Sequence, residues 1–306
     1  MKEKTFEAKF CGAIDVVCPF VKAAFKGKDG NAYIGIMLID TGSNDCLLNK
    51  SILPLMDDSI VKIKEGKSQK ISGLNKEGCI CQEAEFKFKM GNEVFTETFY
   101  VGDVINFDHV VNNFIGIIGN RFLTEHELTL DYSTRSLYSS KEFSGDPLDY
   151  EFFFPMEFGM KQYGLPVVGL ICNDMDLVML VDSGANKTIL TEHAMKEAGI
   201  SADATGEKES ILGFDNKSVE ATIAEANLSL LSIGGTEEEP KICNYKDSIQ
   251  VIHKYKYIMD NLKDHDGEEI MPISGMLSSR FMHDHKWVLD FSHWIMYTSN
   301  NPSDSL

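Results

Sequence analysis

Two short stretches of the 306-residue chain end an apolar run with an acid, a small hydroxyl residue and a glycine. Residues 37–44 have the sequence MLIDTGSN, and residues 179–186 have the sequence MLVDSGAN. A core strand has no structural use for a carboxylate at its end, because burying an unpaired charge is costly. Two carboxylates that meet can share one proton and act as a general acid and a general base. Asp40 and Asp182 are therefore the candidate catalytic residues.

The two acids belong to a longer pattern that the chain contains twice. Taken alone, either Asp would have the simpler interpretation of a turn residue or a helix N-cap. Four landmarks recur in the same order, however, at offsets of 142 residues for the acids, 140 for a hairpin glycine and 159 for the last two. This order indicates an internal duplication. The landmark pairs are Asp40 and Asp182, Gly73 and Gly213, Gly116 and Gly275, and Asp131 and Asp290.

The elements that position these landmarks are predicted to be strands. Residues 84–90 alternate apolar and polar side chains, and residues 94–101 return after a Gly-Asn turn. Residues 115–123 form an apolar strand that breaks at glycine and enters a short helix, and residues 274–282 repeat this pattern. The chain is therefore predicted to be all-β, with a few short helices, in two lobes related by a pseudo-twofold axis.

Two of the landmark pairs have a structural rather than a catalytic interpretation. Gly116 and Gly275 stand at matching positions of the two repeats, and we expect them to allow close packing under the acid-bearing loops. Asp131 and Asp290 stand where a strand meets a hairpin turn, so we expect them to form that turn. The two copies differ at Ser278, which replaces the second glycine of the first copy.

The duplication also predicts the domain boundaries. We expect an N-terminal lobe over residues 1–140, a polar linker over 141–150 and a C-terminal lobe over 151–306. The hairpin glycine and the strand glycine are separated by 62 residues in the second copy and by 43 in the first, so the second copy is longer by 19. We place this insertion within residues 232–271, with a helix over 248–262. A surface insertion is the simpler interpretation, and a substrate-selecting element is the alternative.

The ordered set of motifs resembles the retropepsin-like aspartic peptidases. The shared features are a strand ending in Asp-Thr/Ser-Gly-Ser/Ala, a glycine-tipped hairpin, and an apolar-apolar-Gly element. In that family each lobe supplies one such Asp, and two identical chains usually pair. This chain is similar to both lobes joined in tandem, as a single-chain pseudo-dimer. The pepsin-like branch is the near alternative, but the short lobes and the lack of a Tyr beside either hairpin glycine disfavour it.

The resemblance implies an aspartic endopeptidase that binds a peptide or protein substrate as a monomer, with one site between the lobes. Asp40 and Asp182 would activate a water molecule, with no metal and no cofactor. Thr41 and Ser183 would form hydrogen bonds across the pseudo-twofold axis. The loop-supporting residues would be Thr41, Gly42, Ser43, Ser183, Gly184 and Ala185. The flap and substrate-binding residues would be Ile71, Ser72, Gly73, Leu74, Ile211, Leu212, Gly213 and Phe214.

Composition excludes several other classes of function. The net charge of −18 argues against nucleic acid as a partner. No run approaches 18 apolar residues and no apolar signal segment is visible, so we expect a cytoplasmic protein, or a secreted or periplasmic one if a signal peptide was removed. The seven cysteines are odd in number and mostly lie in apolar runs, which predicts reduced core residues. The pair Cys79 and Cys81 is one residue too close for the usual CxxC motif. A peptide-binding module of the same fold that has lost turnover is the alternative function.

Overall fold

The chain folds as two all-β lobes, as the strand patterns predicted. The computed structural model describes residues 6–12, 16–72, 78–103, 111–143, 150, 152–156, 164–201, 208–213, 217–233, 241–263 and 266–299. Each lobe is built around a barrel of six strands. Within these ranges, no helix has the length and apolar composition that a membrane span requires.

The first lobe contains ten strands and one α-helix in its described part. Its elements are β1 (Glu7–Cys11), β2 (Phe20–Lys26), β3 (Ala32–Ile39), β4 (Cys46–Asn49), β5 (Val61–Ile71), β6 (Cys79–Met90), β7 (Glu93–Gly102), β8 (Phe114–Ile118), α1 (Asn120–Glu125), β9 (Leu128–Asp131) and β10 (Ser136–Ser139). Two 3₁₀ turns cover Lys50–Leu55 and Ser140–Glu142. The barrel runs in the order β2-β3-β8-β4-β7-β6, and pairing of β6 with β2 closes it.

The second lobe repeats this order with longer strands in its middle. Its elements are β11 (Phe152–Pro155), β12 (Val167–Cys172), β13 (Met175–Asp182), β14 (Ile189–Thr191), α2 (Glu192–Glu197), β15 (Lys208–Leu212), β16 (Ser218–Ser232), β17 (Lys241–Ile252), β18 (Ile273–Ser278), α3 (Ser279–Asp284), β19 (Val288–Asp290) and β20 (Ile295–Thr298). The barrel runs in the order β12-β13-β18-β14-β17-β16, and β16 pairs with β12 to close it.

Alternating burial explains why these segments form strands. On β6, Ala84, Phe86, Phe88 and Met90 are buried, whereas the intervening residues are half-buried or exposed. Side chains of one strand alternate between two faces, so this period sends one set into the barrel. The rings of Phe86 and Phe99 pack edge to face with their centroids 5.3 Å apart. Packed phenylalanine rings therefore form part of the core of the first lobe.

One sheet joins the two lobes. Its strand order is β11-β20-β19-β9-β10-β1, and the central pair, β9 and β19, is antiparallel with Leu130 opposite Leu289. Each strand on one side of this pair has its repeat counterpart on the other, so the pseudo-twofold axis passes between β9 and β19. Trp287 and Trp294 are the largest fully buried side chains, and they belong to a hydrophobic core with members from both lobes. The lobes therefore share a sheet and a core.

The turn role of Asp131 and Asp290 is confirmed by their hydrogen bonds. Oδ1 of Asp131 accepts from the backbone N–H of Ser133 at 2.8 Å, and Oδ1 of Asp290 accepts from the N–H of Ser292 at 3.0 Å. Both acids are buried. They hold matching hairpins at the ends of β9 and β19.

The predicted helix over residues 248–262 is wrong. Strand β17 continues through Ile249 and Val251 to Ile252, pairing with β16 on one side and with β14 on the other. These β-branched side chains are fully buried, and a run of consecutive buried residues is typical of a strand that is covered on both faces. The middle of the predicted linker, residues 144–149, lies outside the described residues.

Candidate active site

Both acids emerge from the ends of equivalent strands. Asp40 directly follows β3, which runs parallel to β8, and Asp182 ends β13, which runs parallel to β18. The register is the same in both pairs, with Met37 opposite Gly116 and Met179 opposite Gly275. The backbone N–H of Asp40 donates to the carbonyl of Ile118 at 2.9 Å, which extends the parallel pairing up to the acid.

The close packing predicted for the two strand glycines is present. An ideal Cβ on Gly116 would collide with the carbonyl oxygen of Leu47, and one on Gly275 would collide with that of Ile189. These carbonyls belong to β4 and β14, which lie antiparallel to β8 and β18. A side chain at either position would push β4 or β14 away from the strand beneath the acid-bearing loop.

The two loops are joined by four hydrogen bonds that obey the pseudo-twofold axis. The N–H of Thr41 donates to Oγ of Ser183 at 2.9 Å, and the N–H of Ser183 donates to Oγ1 of Thr41 at 2.8 Å. The Thr41 hydroxyl donates to the carbonyl of Val181 at 2.6 Å, and the Ser183 hydroxyl donates to that of Ile39 at 2.7 Å. Both side chains are fully buried. The hydrogen bonds expected between the loops are therefore present.

Each carboxyl group lies against the glycine of the opposite loop. An ideal Cβ on Gly42 would stand 2.6 Å from Cγ of Asp182, and one on Gly184 would stand 2.7 Å from Cγ of Asp40. Real Cβ contacts are not this short, so neither position can carry a side chain without moving an acid. Because each acid touches the loop that holds the other, the fold brings Asp40 and Asp182 into one site.

Backbone N–H groups orient both carboxyls. Oδ1 of Asp40 accepts from the N–H of Gly42 at 2.9 Å, and Oδ1 of Asp182 accepts from those of Gly184 and Ala185 at 2.8 and 3.1 Å. The sharp turn after each acid points these N–H groups back at its own side chain. Backbone N–H groups therefore hold both carboxyls in place at the cleft between the lobes.

Burial and mutual repulsion alter the titration of the pair. Burial raises the pKa of Asp40 well above its usual range, and the charge of Asp182 and the hydrogen bond to it raise it further. Burial also raises the pKa of Asp182, but the backbone N–H groups and a hydrogen bond from Asp40 oppose this change. The two acids therefore titrate as a pair, and they share one proton.

Different side chains support the two loops from below. In the first lobe the N–H of Asn120 donates to the carbonyl of Ser43 at 2.8 Å, and its side-chain amide donates to the carbonyl of Thr41. In the second lobe the N–H of Ser279 donates to the carbonyl of Ala185 at 2.8 Å. Its hydroxyl is 2.9 Å from that of Tyr132, which comes from the first lobe. The side chain of Ser279 is shorter than that of Asn120, and Tyr132 from across the axis supports it.

The replacement of Gly119 by Ser278 also has a local explanation. An ideal Cβ on Gly119 would stand 2.6 Å from the carbonyl oxygen of Asp45. Ser278 is accommodated in the second lobe, where its hydroxyl accepts from the N–H of Phe281 at 3.1 Å and caps α3. Helix α1 has no side-chain cap at the equivalent position. The substitution therefore supplies a helix cap without reaching the acids.

The acids lie in a cleft of about 670 Å³ between the lobes. Both are half-buried at its floor. Its walls carry apolar side chains at equivalent positions of the two repeats, which are Leu38 and Leu180, Leu47 and Ile189, and Ile117 and Met276. The second lobe adds Ile258, Met259 and Asp260, from the segment between β17 and β18. The insertion therefore contributes to the cleft as well as to the surface.

Five of the eight predicted flap residues line this cleft. They are Ile71 and Ser72 at the end of β5, and Ile211, Leu212 and Gly213 at the end of β15. The other three, Gly73, Leu74 and Phe214, lie outside the described residues. Of the predicted supporting residues, Gly42, Ser43, Gly184 and Ala185 line the floor. Thr41 and Ser183 lie beneath it.

Sequence reasoning missed the apolar walls and the support from Tyr132. The repeat offsets could have identified the wall positions, because Leu38 precedes Asp40 by the same step as Leu180 precedes Asp182. No sequence signal connects Tyr132 with Ser279, since they belong to different lobes.

Asp45, the acid close to Asp40, is turned toward Arg121, with 3.2 Å between their side-chain atoms.

Among the described residues, no group of three or more His, Cys, Asp or Glu side chains is placed to hold a metal ion. No family model matches the chain, and no curated protein matches it. The chemical interpretation of the site therefore comes from its own geometry.

Proposed function

We propose that the chain is an aspartic endopeptidase of the retropepsin-like type, with Asp40 and Asp182 as its catalytic pair. One observation carries the proposal. Each carboxyl group packs against the glycine of the opposite loop, while Thr41 and Ser183 join the two loops by reciprocal hydrogen bonds. Such an arrangement has no evident use in packing, because it buries two acids against each other. It suits the sharing of one proton.

In the proposed reaction the ionised Asp182 accepts a proton from a water molecule, and the oxygen of that water attacks the scissile carbonyl carbon. The protonated Asp40 donates its proton to the carbonyl oxygen, so a neutral tetrahedral diol forms. Collapse of the diol breaks the C–N bond, and the proton taken up by Asp182 passes to the leaving nitrogen. At the same time one diol hydroxyl gives its proton back to Asp40, and its oxygen becomes the carbonyl oxygen of the new carboxyl product. The pair finishes with one proton between the two acids, as it began.

The strands beside the cleft support a peptide as the substrate. In the described part of the chain, β5 and β15 are the outer strands of their sheets, and the ends of both line the cleft. An extended peptide can form backbone hydrogen bonds with such edges, and alternate side chains can then enter the apolar walls. A monomer with one site between its lobes accounts for all these contacts.

The experiment is digestion of a proteome-derived peptide library by the wild type, Asp40→Asn and Asp182→Asn. Each substitution removes an ionisable carboxyl with little change in shape, so cleavage should fall by about 10²–10⁴-fold. Asp176→Asn is the matched control, because Asp176 is exposed on the same strand as Asp182. Its activity should equal that of the wild type.

Undiminished cleavage by both Asn variants would refute the proposal. Peptides that bind the wild type without being cut at any pH between about 3 and 8 would favour the alternative of a peptide-binding module. A statine-type inhibitor separates the two outcomes further. The proposed enzyme should bind it at acidic pH and release it as the shared proton is lost at high pH.

A further inference from the structure

Two thiols lie side by side on β6, outside the acid pair. The sulfur atoms of Cys79 and Cys81 are 3.4 Å apart. Residues two apart on a strand share one face, which explains why both side chains point the same way. On that face they meet Gly102 of β7, where an ideal Cβ would stand 2.5 Å from the sulfur of Cys81 and 3.8 Å from that of Cys79. The sulfur atoms occupy the space of the missing side chain.

The thiol pair lies directly behind one wall of the cleft. In the antiparallel pairing of β5 and β6, Cys79 is opposite Ile71 and Cys81 is opposite Gln69. Both of these β5 residues line the cleft that holds Asp40 and Asp182. Any change in the backbone at residues 79–81 therefore acts on the strand that forms the wall.

The two thiols differ in access to solvent. Cys79 is half-buried, whereas Cys81 is fully buried. Burial raises the pKa of Cys81 to about 12, and the hydrogen bond and charge of Cys79 add to this effect. Cys81 therefore stays protonated, and Cys79 is the thiol that a reagent from solvent meets first.

We propose that Cys79 and Cys81 form an oxidation site that a hydroperoxide converts into a disulfide. The thiolate of Cys79 attacks the terminal oxygen of the hydroperoxide, so an S–O bond forms and the O–O bond breaks, and Cys79 becomes a sulfenic acid. The other oxygen takes up the proton that the thiol released and leaves as an alcohol or, from hydrogen peroxide, as water. The thiol of Cys81 then attacks the sulfenic sulfur. The S–O bond breaks, the Cys81 proton leaves with the hydroxyl as water, and the S–S bond forms.

Closing this bond changes the shape of β6. The sulfur atoms must approach from 3.4 Å to about 2.05 Å. Residues two apart on a strand have Cα atoms about 6.6 Å apart. That spacing is near the upper limit of about 6.8 Å for disulfides. The commonest spacing is about 5.5–6 Å, so closing the bond draws the strand together at Ile80, which is exposed and pairs with Lys70 of the cleft wall. Oxidation therefore disturbs the first-lobe wall.

The second lobe provides the matched control. There Ile211 and Glu209 occupy the positions of Ile71 and Gln69, and their partners on β16 are Val219 and Ala221. The double variant Cys79→Val/Cys81→Ala thus places residues that the same fold already carries at equivalent positions. It removes both thiols with little risk to folding.

The experiment treats the wild type with hydrogen peroxide, alkylates the remaining thiols and maps the peptides. Trypsin releases residues 77–87 as one peptide that contains both cysteines. We expect this peptide to lose the mass of two hydrogen atoms and to resist alkylation until a reductant is added. The seven thiols are all free in the untreated protein, and the other five should still react in both proteins when the alkylation is done in denaturant.

Alkylation of both cysteines after peroxide treatment would overturn the proposal, and so would a sulfinic acid on Cys79 beside a free Cys81. The mapping requires no peptidase activity, so its result is independent of the proposed function. As a second readout, peroxide should raise the KM for peptide cleavage by the wild type several-fold and leave the double variant unchanged. An equal rise in both proteins would assign the effect to another residue.

Discussion

The two lobes agree closely in the acid-bearing loops and differ in the side chains that support those loops from below. Thr41 and Ser183 exchange equivalent hydrogen bonds, and Gly42 and Gly184 each contact the opposite acid. Below the loops, Asn120 supports the first lobe by itself, whereas Ser279 shares the task with a tyrosine from the first lobe. Contacts across the axis bind each half to the other, so a change in one half disturbs both.

A second pair of equivalent contacts, away from the axis, also differs between the two lobes. In the first lobe His126 lies 2.7 Å from Glu97 and packs on the ring of Phe95. In the second lobe His285 packs on Tyr245 at 4.3 Å between ring centroids. Burial lowers the pKa of His285, so it stays neutral where no acid is paired with it. The ring packing is retained and the contact with a glutamate is not.

The strongest test of the symmetry is a side chain on the two motif glycines. Gly42→Ala and Gly184→Ala should each displace the opposite carboxyl, because the new Cβ would stand 2.6 or 2.7 Å from its Cγ. Overpacking of this kind costs about 1–3 kcal/mol of stability, and cleavage should be lost. Urea unfolding and peptide cleavage measure the two effects. If one variant is active and the other is not, the acids do not depend on each other's loops.

Replacement of the buried hydroxyls should have the next largest effect. Thr41→Val removes an acceptor for the N–H of Ser183 and a donor to the carbonyl of Val181. Leaving buried polar groups unpaired costs about 1–3 kcal/mol. Thr41→Ser is the control, because the second lobe uses serine at this position and the hydroxyl is retained. Equal stability of the Val and Ser variants in urea would show that the hydrogen bonds contribute little.

The raised pKa of Asp40 makes stability depend on pH. Its folded-state pKa lies above its unfolded value, so its contribution is fully present below about pH 3.9 and is lost as the pH rises through the folded-state pKa. A tenfold difference in proton affinity between the folded and unfolded states corresponds to about 1.4 kcal/mol. The stability of Asp40→Asn relative to the wild type should therefore rise as the pH goes from acidic to neutral.

Urea midpoints of the two proteins at several pH values measure this difference, with Asp176→Asn as the reference. If the midpoints of Asp40→Asn and the wild type stay a constant distance apart across this range, the carboxyl of Asp40 titrates normally. If Asp40→Asn instead gains stability relative to the wild type as the pH falls, the pKa of Asp40 is lowered rather than raised.

The smallest expected effect concerns the support that only the second lobe receives. Tyr132→Phe removes a hydroxyl 2.9 Å from that of Ser279, and loss of one such bond costs about 1 kcal/mol. Phe291 occupies the equivalent position of Tyr132, so phenylalanine fits this site in the second repeat. The melting temperature should fall slightly and cleavage should remain. An unchanged melting temperature would show that the hydroxyl of Tyr132 does not support Ser279.

Much of the site could be predicted because its signals are local and occur twice. The motif around Asp40 and its copy around Asp182 are each contiguous, and the strand before each acid is apolar over its length. The helix predicted around Ile249 is wrong because a short run of buried β-branched residues is compatible with a buried helix as well as with a strand. Only the strand partners, β14 and β16, distinguish the two.

The sequence by itself determined the duplication, the all-β character and the identity of the two acids, since each depends on residue types and spacing along the chain. The tertiary structure decided which surfaces meet. It placed Gly42 against Asp182, brought Tyr132 under the second lobe, and set Cys79 and Cys81 behind a wall of the cleft. These contacts join segments far apart in the chain. The alternation of apolar and polar residues along a strand does not identify the distant strand with which it pairs.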